Sequence, residues 1–323
     1  MSVSTLQSTS ASASVEDARA ALTFDRTVPR QLVHRASVTE VFLTDGAPVA
    51  ADRFLVGAQW PRHHALYHPD PSGRCDFMLL AETVRQAGIF LLHRYYDVPL
   101  GHHFVFKSLD LHIDDLDALR MGGTPLGAVL DVTVDATAAS DARRFDARLD
   151  MTIEADGRVC AYGSVAVVVV DARRYEAVRH RGRDIVGGTT AAPAASGTPA
   201  TAAPTTAPVI AGRQDANVLL RTATDADSST WLLHVDLRHP GYFEHPSDHV
   251  PGMMLLEAFR QAGHLTAARD CALTALQARF LSFGELFQPI VIRSATGPEG
   301  LLRLTAVQGE RALAEADALF VRN

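Results

Sequence analysis

The chain has 323 residues, 47% of them hydrophobic and 21% charged, which suits about two ordinary soluble domains. A net charge of −7, with no basic face overall, argues against a nucleic-acid binder. Cys75, Cys160 and Cys271 stand without CxxC spacing, against a disulfide framework or structural zinc site and in keeping with a reducing cytoplasm, and no long apolar run marks a membrane span.

In chain order, residues 1–24 read as a disordered tail: the Ser/Thr/Ala-rich start lacks both the cationic opening and the apolar core of a secretory signal. A first domain is expected over 25–180. Its centre is a long apolar helix over 77–96, with Asp76 as N-cap. Phe145, Ala147, Leu149, Met151 and Ile153 then alternate with polar residues, the period of a strand. Asp156-Gly157 supplies a hairpin turn, and Val159 to Val170 returns as a second strand. Arg173, Arg174, Arg179, His180, Arg181 and Arg183 read as a solvated domain end. Residues 181–212 read as a tether, because every residue from Gly187 to Pro208 is Gly, Thr, Ala, Pro or Ser and can bury little surface. A second domain follows over 213–323. It opens with alternation from Trp231 to Leu237, continues through a His245-Pro246 loop into a helix over 253–269, and ends in strands over 302–306 and 312–321.

The second helix repeats the first. Residues 78–88 (MLLAETVRQAG) and 253–263 (MMLLEAFRQAG) agree at seven of eleven positions without a gap. Arg62-His63 with His68-Pro69, and Arg238-His239 with His245-Pro246, precede the two helices in the same order, which marks a duplicated domain. One buried helix followed by an antiparallel meander, twice over, predicts an α+β chain of two tandem hotdog domains, each a sheet wrapped around a helix that is apolar nearly all round.

Each helix keeps one polar stripe. Glu82, Arg85 and Gln86, and again Glu257, Arg260 and Gln261, lie three and four residues apart and share a face. One reading is an intrahelical ion pair. The other is that charges kept in an apolar helix face a cavity or the opposite half, since unpartnered burial is costly. His68, His245 and His249 are the loop candidates for binding. His245-x-x-Asp248-His249 is a weak metal pattern, and no metal is expected. No GxSxG elbow and no phosphate-cradling glycine loop is present.

The run His245-Pro246-Ser247-Asp248-His249-Val250-Pro251-Gly252-Met253, followed by Glu257, resembles the loop–helix motif of hotdog β-hydroxyacyl-carrier-protein dehydratases. Val33-His34-Arg35, Glu40-Val41-Phe42-Leu43-Thr44-Asp45, Leu80 to Gly88 and Asp248 to Met253 are similar, in order, to signatures of the A-factor biosynthesis family of actinomycete γ-butyrolactone synthases. That resemblance implies tandem hotdog domains and an acyltransferase. A β-ketoacyl group, delivered by a carrier protein or CoA, joins the hydroxyl of dihydroxyacetone phosphate, and the ester closes to a butenolide phosphate. No cofactor is implied, and a cytoplasmic location is expected.

For that chemistry Glu82 and Glu257 are candidate bases, as buried carboxylates with raised pKa. Arg85 and Arg260 are candidates to hold phosphate or oxyanion, and Gln86, Gln261, His68, His245 and His249 to bind substrate. His245 is expected to face Glu82–Arg85, and His68 to lie nearer Glu257–Arg260. A homo-oligomer is possible, although the halves could satisfy each other as a pseudo-dimer. The alternatives are a dehydratase or thioesterase on the same fold, and a non-catalytic acyl-binding module.

Overall fold

The computed structural model describes residues 14–138, 144–184, 215–222, 229–267 and 270–322. Its centre is one antiparallel sheet of 12 strands. The first half contributes β1 (Leu43–Ala50), β2 (Arg53–Trp60), β3 (His103–Ile113), β4 (Leu126–Ala138), β5 (Arg144–Ala155) and β6 (Arg158–Val170). The second contributes β7 (Leu220–Thr222), β8 (Thr230–Leu233), β9 (Cys271–Phe280), β10 (Val291–Thr296), β11 (Leu302–Gln308) and β12 (Arg311–Arg322). Their order, β1-β2-β4-β5-β6-β3-β9-β12-β11-β10-β8-β7, reads the same from either end once each strand is matched to its copy. The two hotdogs therefore meet at β3 and β9, which pair from Ser108↔Arg279 to His112↔Ala275.

Each half-sheet curls around one helix, α2 (Phe77–Tyr95) in the first and α4 (Gly252–Thr266) in the second, as the sequence suggested. Sixteen of the 19 residues of α2 are buried, so the sheet covers nearly its whole circumference. Asp76 caps it as expected, its Oδ1 accepting from the Met78 N–H at 2.7 Å. Asp156 and Gly157, both at positive φ, make the turn between β5 and β6.

Three expectations change. The tail over 1–24 is not uniformly without structure: α1 (Val15–Ala21) forms within it. Ser14 and Asp17 cap α1 reciprocally, and Ala18 packs into a small cluster with Val49 and Leu55. The alternation from Trp231 to Leu237 is a strand only as far as Leu233; Asp236 then accepts from the Arg238 N–H in a local turn that competes with the ladder. The basic cluster lies on α3 (Ala172–Asp184), and its Arg179 is buried, not solvated. Arg179 donates to Asp248 at 2.8 Å and to Glu285 at 3.0 Å, so α3 braces the loop before α4. Of the linker expected over 181–212, residues 181–184 complete α3, and 185–212 lie outside the described residues.

Candidate active site

Both polar stripes form the intrahelical pair, and both are buried. Glu82 and Glu257 have no exposed surface. Arg85 donates from Nε and a terminal nitrogen to Glu82 at 2.8 and 2.9 Å, and Arg260 does the same to Glu257 at 2.8 and 2.8 Å. The glutamines bracket these pairs. Gln86 gives its amide hydrogens to Glu82 and the Glu40 carbonyl while accepting from the Phe42 N–H. Gln261 repeats this with Glu257, the Asn217 carbonyl and the Leu219 N–H. The glutamines, expected to bind substrate, have their donors engaged inside the protein, and they tie each helix to the segment that leads into its half-sheet.

The duplication extends to histidines, in a different register from the one the His-Pro dipeptides suggested. His64 Nδ1 accepts from the N–H groups of Leu66 and Tyr67, and His239 Nδ1 from those of Gly241 and Tyr242. His64 Nε2 meets Glu40, and His239 Nε2 meets Asn217. His64 and His239 are thus the equivalent pair, separated by the same interval as Glu82 and Glu257. His68 and His245 are not equivalent.

A cavity of about 500 Å3 lies between the halves. Its polar part joins Arg85, Arg35, His34 and Tyr67 from the first half to His245 and His249 from the second. Its apolar part is walled chiefly by Ile89, Phe106, Leu109, Met253, Leu255 and Phe280. His245 thus shares a cavity with Arg85, as expected. His68 lies elsewhere, half-buried with its ring 5.3 Å from that of His63. Glu257 and Arg260 are not among the lining residues, so of the two stripes only the first supplies a guanidinium, that of Arg85, beside Arg35 from a turn. A larger hollow, about 720 Å3, lies over sheet residues, but Arg53 and Arg148 there are already paired with Asp131 and Asp150.

Electrostatics reverse the raised pKa expected for Glu82. Burial alone would raise its pKa, but Arg35 and Arg85, with hydrogen bonds from Arg85 and Gln86, outweigh burial and hold it at about 2. Its oxygens are engaged by two guanidiniums and an amide, which fixes both guanidiniums in place. Arg35 also bonds Glu244 of the second half at 3.2 Å, and Glu244 accepts from the N–H groups of Ala36 and Ser37 as well. On the opposite loop, His249 Nδ1 lies 2.7 Å from Asp248 Oδ1 and 3.3 Å from the Tyr175 hydroxyl. Burial opposes ionisation of Asp248, but hydrogen bonds from His249, Arg179 and Tyr175 prevail and lower its pKa.

Arg35, His34 and Glu244 escaped the sequence reading of the site. Arg35 and His34 sit in a turn far from either helix, and only their place in the Val33-His34-Arg35 signature pointed to them.

The comparisons agree with this fold. Residues 16–171 and 195–321 match the model of the A-factor biosynthesis hotdog domain. The chain belongs to this family. It is 33% identical over 286 residues to the 2-oxo-3-(phosphooxy)propyl 3-oxoalkanoate synthase of Streptomyces coelicolor, covering 87% of this chain and 86% of that one. It is 34% identical over 273 residues to the synthase of the same name from Streptomyces virginiae, covering 84% and 88%. Among solved structures, a 12:0-ACP thioesterase from Umbellularia californica shares the fold, with a TM-score of 0.50 and 8% identity over 83% of this chain and 98% of that one. No helix among the described residues is long and apolar enough to cross a membrane.

Proposed function

We propose that this A-factor-family chain is a 2-oxo-3-(phosphooxy)propyl 3-oxoalkanoate synthase. It transfers a β-ketoacyl group from a thioester to the hydroxyl of dihydroxyacetone phosphate, and the ester then closes to a butenolide phosphate. The observation that carries this reading, beside the relatives' names, is the composite cavity: about 500 Å3 with an apolar wall on one side and guanidiniums and imidazoles from the two halves on the other.

The division of labour follows from the walls. The acyl tail lies against Ile89, Leu109, Met253 and Phe280. Arg85, held rigid by Glu82, presents its remaining donors to the phosphate or to the oxyanion of the attacked thioester, where preorganised charge is most effective. Arg35 adds positive potential from the other side of Glu82. His245 and His249 bind from the second-half loop. As the hydroxyl oxygen bonds to the thioester carbon, the carbon–sulfur bond breaks and the thiol leaves. Ring closure then needs only removal of the acidic proton between the two carbonyls and attack of that carbon on the neighbouring ketone, with loss of water. The donor is a carrier-protein or CoA thioester.

The test is a β-ketoacyl thioester incubated with the full chain, with and without dihydroxyacetone phosphate. Thiol release should require the phosphate, and the product mass should be that of the ester or the ester less water. Equal thiol release without the acceptor would make the protein a thioesterase. Tight binding with no release would make it an acyl-binding module.

A further inference from the structure

The cavity contains an imidazole whose proton is placed by its neighbours. His34 Nε2 lies 2.8 Å from His93 Nε2, and the other nitrogen of His93, Nδ1, lies 2.7 Å from the carbonyl oxygen of Val98. A carbonyl can only accept, so His93 Nδ1 carries a hydrogen. In neutral His93 the Nε2 atom is then an acceptor, and the hydrogen between the two rings belongs to His34 Nε2. That leaves the His34 Nδ1 lone pair unshared, and no described group bonds to it.

We propose that His34 is the catalytic residue that receives the proton of the attacking hydroxyl, and that His93 is a positioning residue that fixes its tautomer. This rests on the acyl-transfer reading above.

Several observations converge on it. His34 lines the same cavity as Arg85 and His245. It adopts φ 52, ψ 51, a left-handed conformation that is uncommon for a residue other than glycine and recurs at functional sites. The ring is held edge-on by Phe104, with centroids 5.0 Å apart, so its direction is set by packing as well as by His93. Burial, then His93, Arg85, His245 and His103, lower its pKa to about 3, so without substrate the ring is neutral but a weak base. His93, on α2, is also lowered by burial, despite its bond to Val98. A substrate phosphate on Arg85 would bring negative charge beside His34 and favour its protonation at the moment the hydroxyl reacts. In the transfer, the hydroxyl oxygen bonds to the thioester carbon and its proton passes to His34 Nδ1. The carbon–sulfur bond breaks, the proton goes on to the departing thiolate, and His34 is neutral again. Glu82, bonded by Arg35, Arg85 and Gln86, is not available for this task.

The test uses the full chain. His34→Asn suits it because asparagine tolerates the left-handed backbone, so its melting temperature should match that of wild type. Its kcat should fall at least about 100-fold, the usual scale for a lost general base, with KM for the thioester within about threefold. His93→Gln can still donate to Val98 and accept from His34, and should stay within about tenfold of wild type. His93→Leu fills the space but can do neither, and should fall towards His34→Asn. A purely packing role for His93 predicts the opposite ranking. NMR of the 15N-histidine-labelled protein should show His34 as the Nε2–H tautomer and His93 as Nδ1–H, a result that does not depend on activity. Wild-type kcat in a folded His34→Asn variant, equal activity of the two His93 variants, or His34 protonated on Nδ1 would overturn the proposal. If wild type shows no acceptor-dependent thiol release, the reaction reading fails, and the tautomers still decide whether the His34–His93 pair is built as described.

Discussion

Glu244, on the loop of the second half, accepts from the side chain of Arg35 in the first, and Arg35 in turn grips Glu82 on the first helix. The residues stand 209 positions apart, so this chain of charges ties the halves together at the polar end of the cavity. All three side chains are nearly or fully buried. Glu244→Ala strands part of the Arg35 guanidinium and two backbone N–H groups. A loss of about 1–3 kcal/mol is expected, the range for leaving buried polar groups unsatisfied. Urea unfolding should show a lower midpoint with an unchanged slope. An unchanged midpoint would mean the loop is held by other contacts, such as Arg179–Asp248.

Glu82 predicts a pH dependence. Its pKa falls from an ordinary 4.5 to about 2 in the folded chain, so the unfolded chain binds its proton more readily. The stability it contributes is complete above about pH 4.5 and is lost as pH falls from there towards 2, amounting to on the order of 3 kcal/mol. Glu82→Gln should remove this acid limb, leaving a less stable protein at pH 7 whose stability declines less between pH 5 and 3. Parallel pH–stability curves for variant and wild type would contradict the assignment.

The helices and stripes were legible because they are local. Seven matches in eleven residues, with a helical period and an unusual Glu–Arg pair, can be read without tertiary information. The sheet closure at β3 and β9 could not be read this way, because each strand has only a period of two and nothing in the alternation says which strands become neighbours. Within the site, Arg85 was legible as a member of a repeat, and His245 only through a dipeptide whose apparent copy, His68, is not its equivalent. Arg35 was not, because its partner Glu82 lies 47 residues away and a lone arginine in a turn carries no pattern. The His-Pro dipeptides misled for a related reason: His64 and His239 are equivalent by their hydrogen bonds, and the dipeptides fall out of that register.

The two stripes should respond differently to the same change. Arg85 lines the cavity, so Arg85→Ala should lower kcat/KM about 100–1000-fold, as for loss of a preorganised donor, with enough fold retained to measure it. Arg260 lies among core side chains against Glu257. Arg260→Ala therefore removes the guanidinium bonded to a fully buried carboxylate, and the expected cost is about 3–5 kcal/mol of stability. Thermal melts beside steady-state rates separate the cases. A stable Arg260→Ala protein with lost turnover would place the second stripe in the chemistry as well.

Ile89 lies one helical turn beyond Arg85 on α2 and lines the same cavity. It stands where an acyl chain would leave the cationic end. Ile89→Phe should narrow the channel there, lowering kcat/KM for long acyl thioesters at least tenfold while sparing short ones. Equal losses for all chain lengths would mean that the tail takes another route.

The final prediction concerns the halves themselves. The cavity takes Arg85, Arg35 and His34 from the first half and His245 and His249 from the second, and the sheet runs unbroken between them through β3 and β9. Residues 1–187 and 208–323, expressed apart, should each be inactive. Each would also expose β3 or β9 as a free edge, which invites self-pairing, so fragments mixed after folding should recover less activity than fragments refolded together. Circular dichroism of each fragment, followed by acceptor-dependent thiol release from each alone, from the mixture and from the co-refolded pair, makes the comparison. Recovery only when both fragments are present supports a site shared between halves. Full turnover by one folded fragment alone would show that a single hotdog carries the whole site.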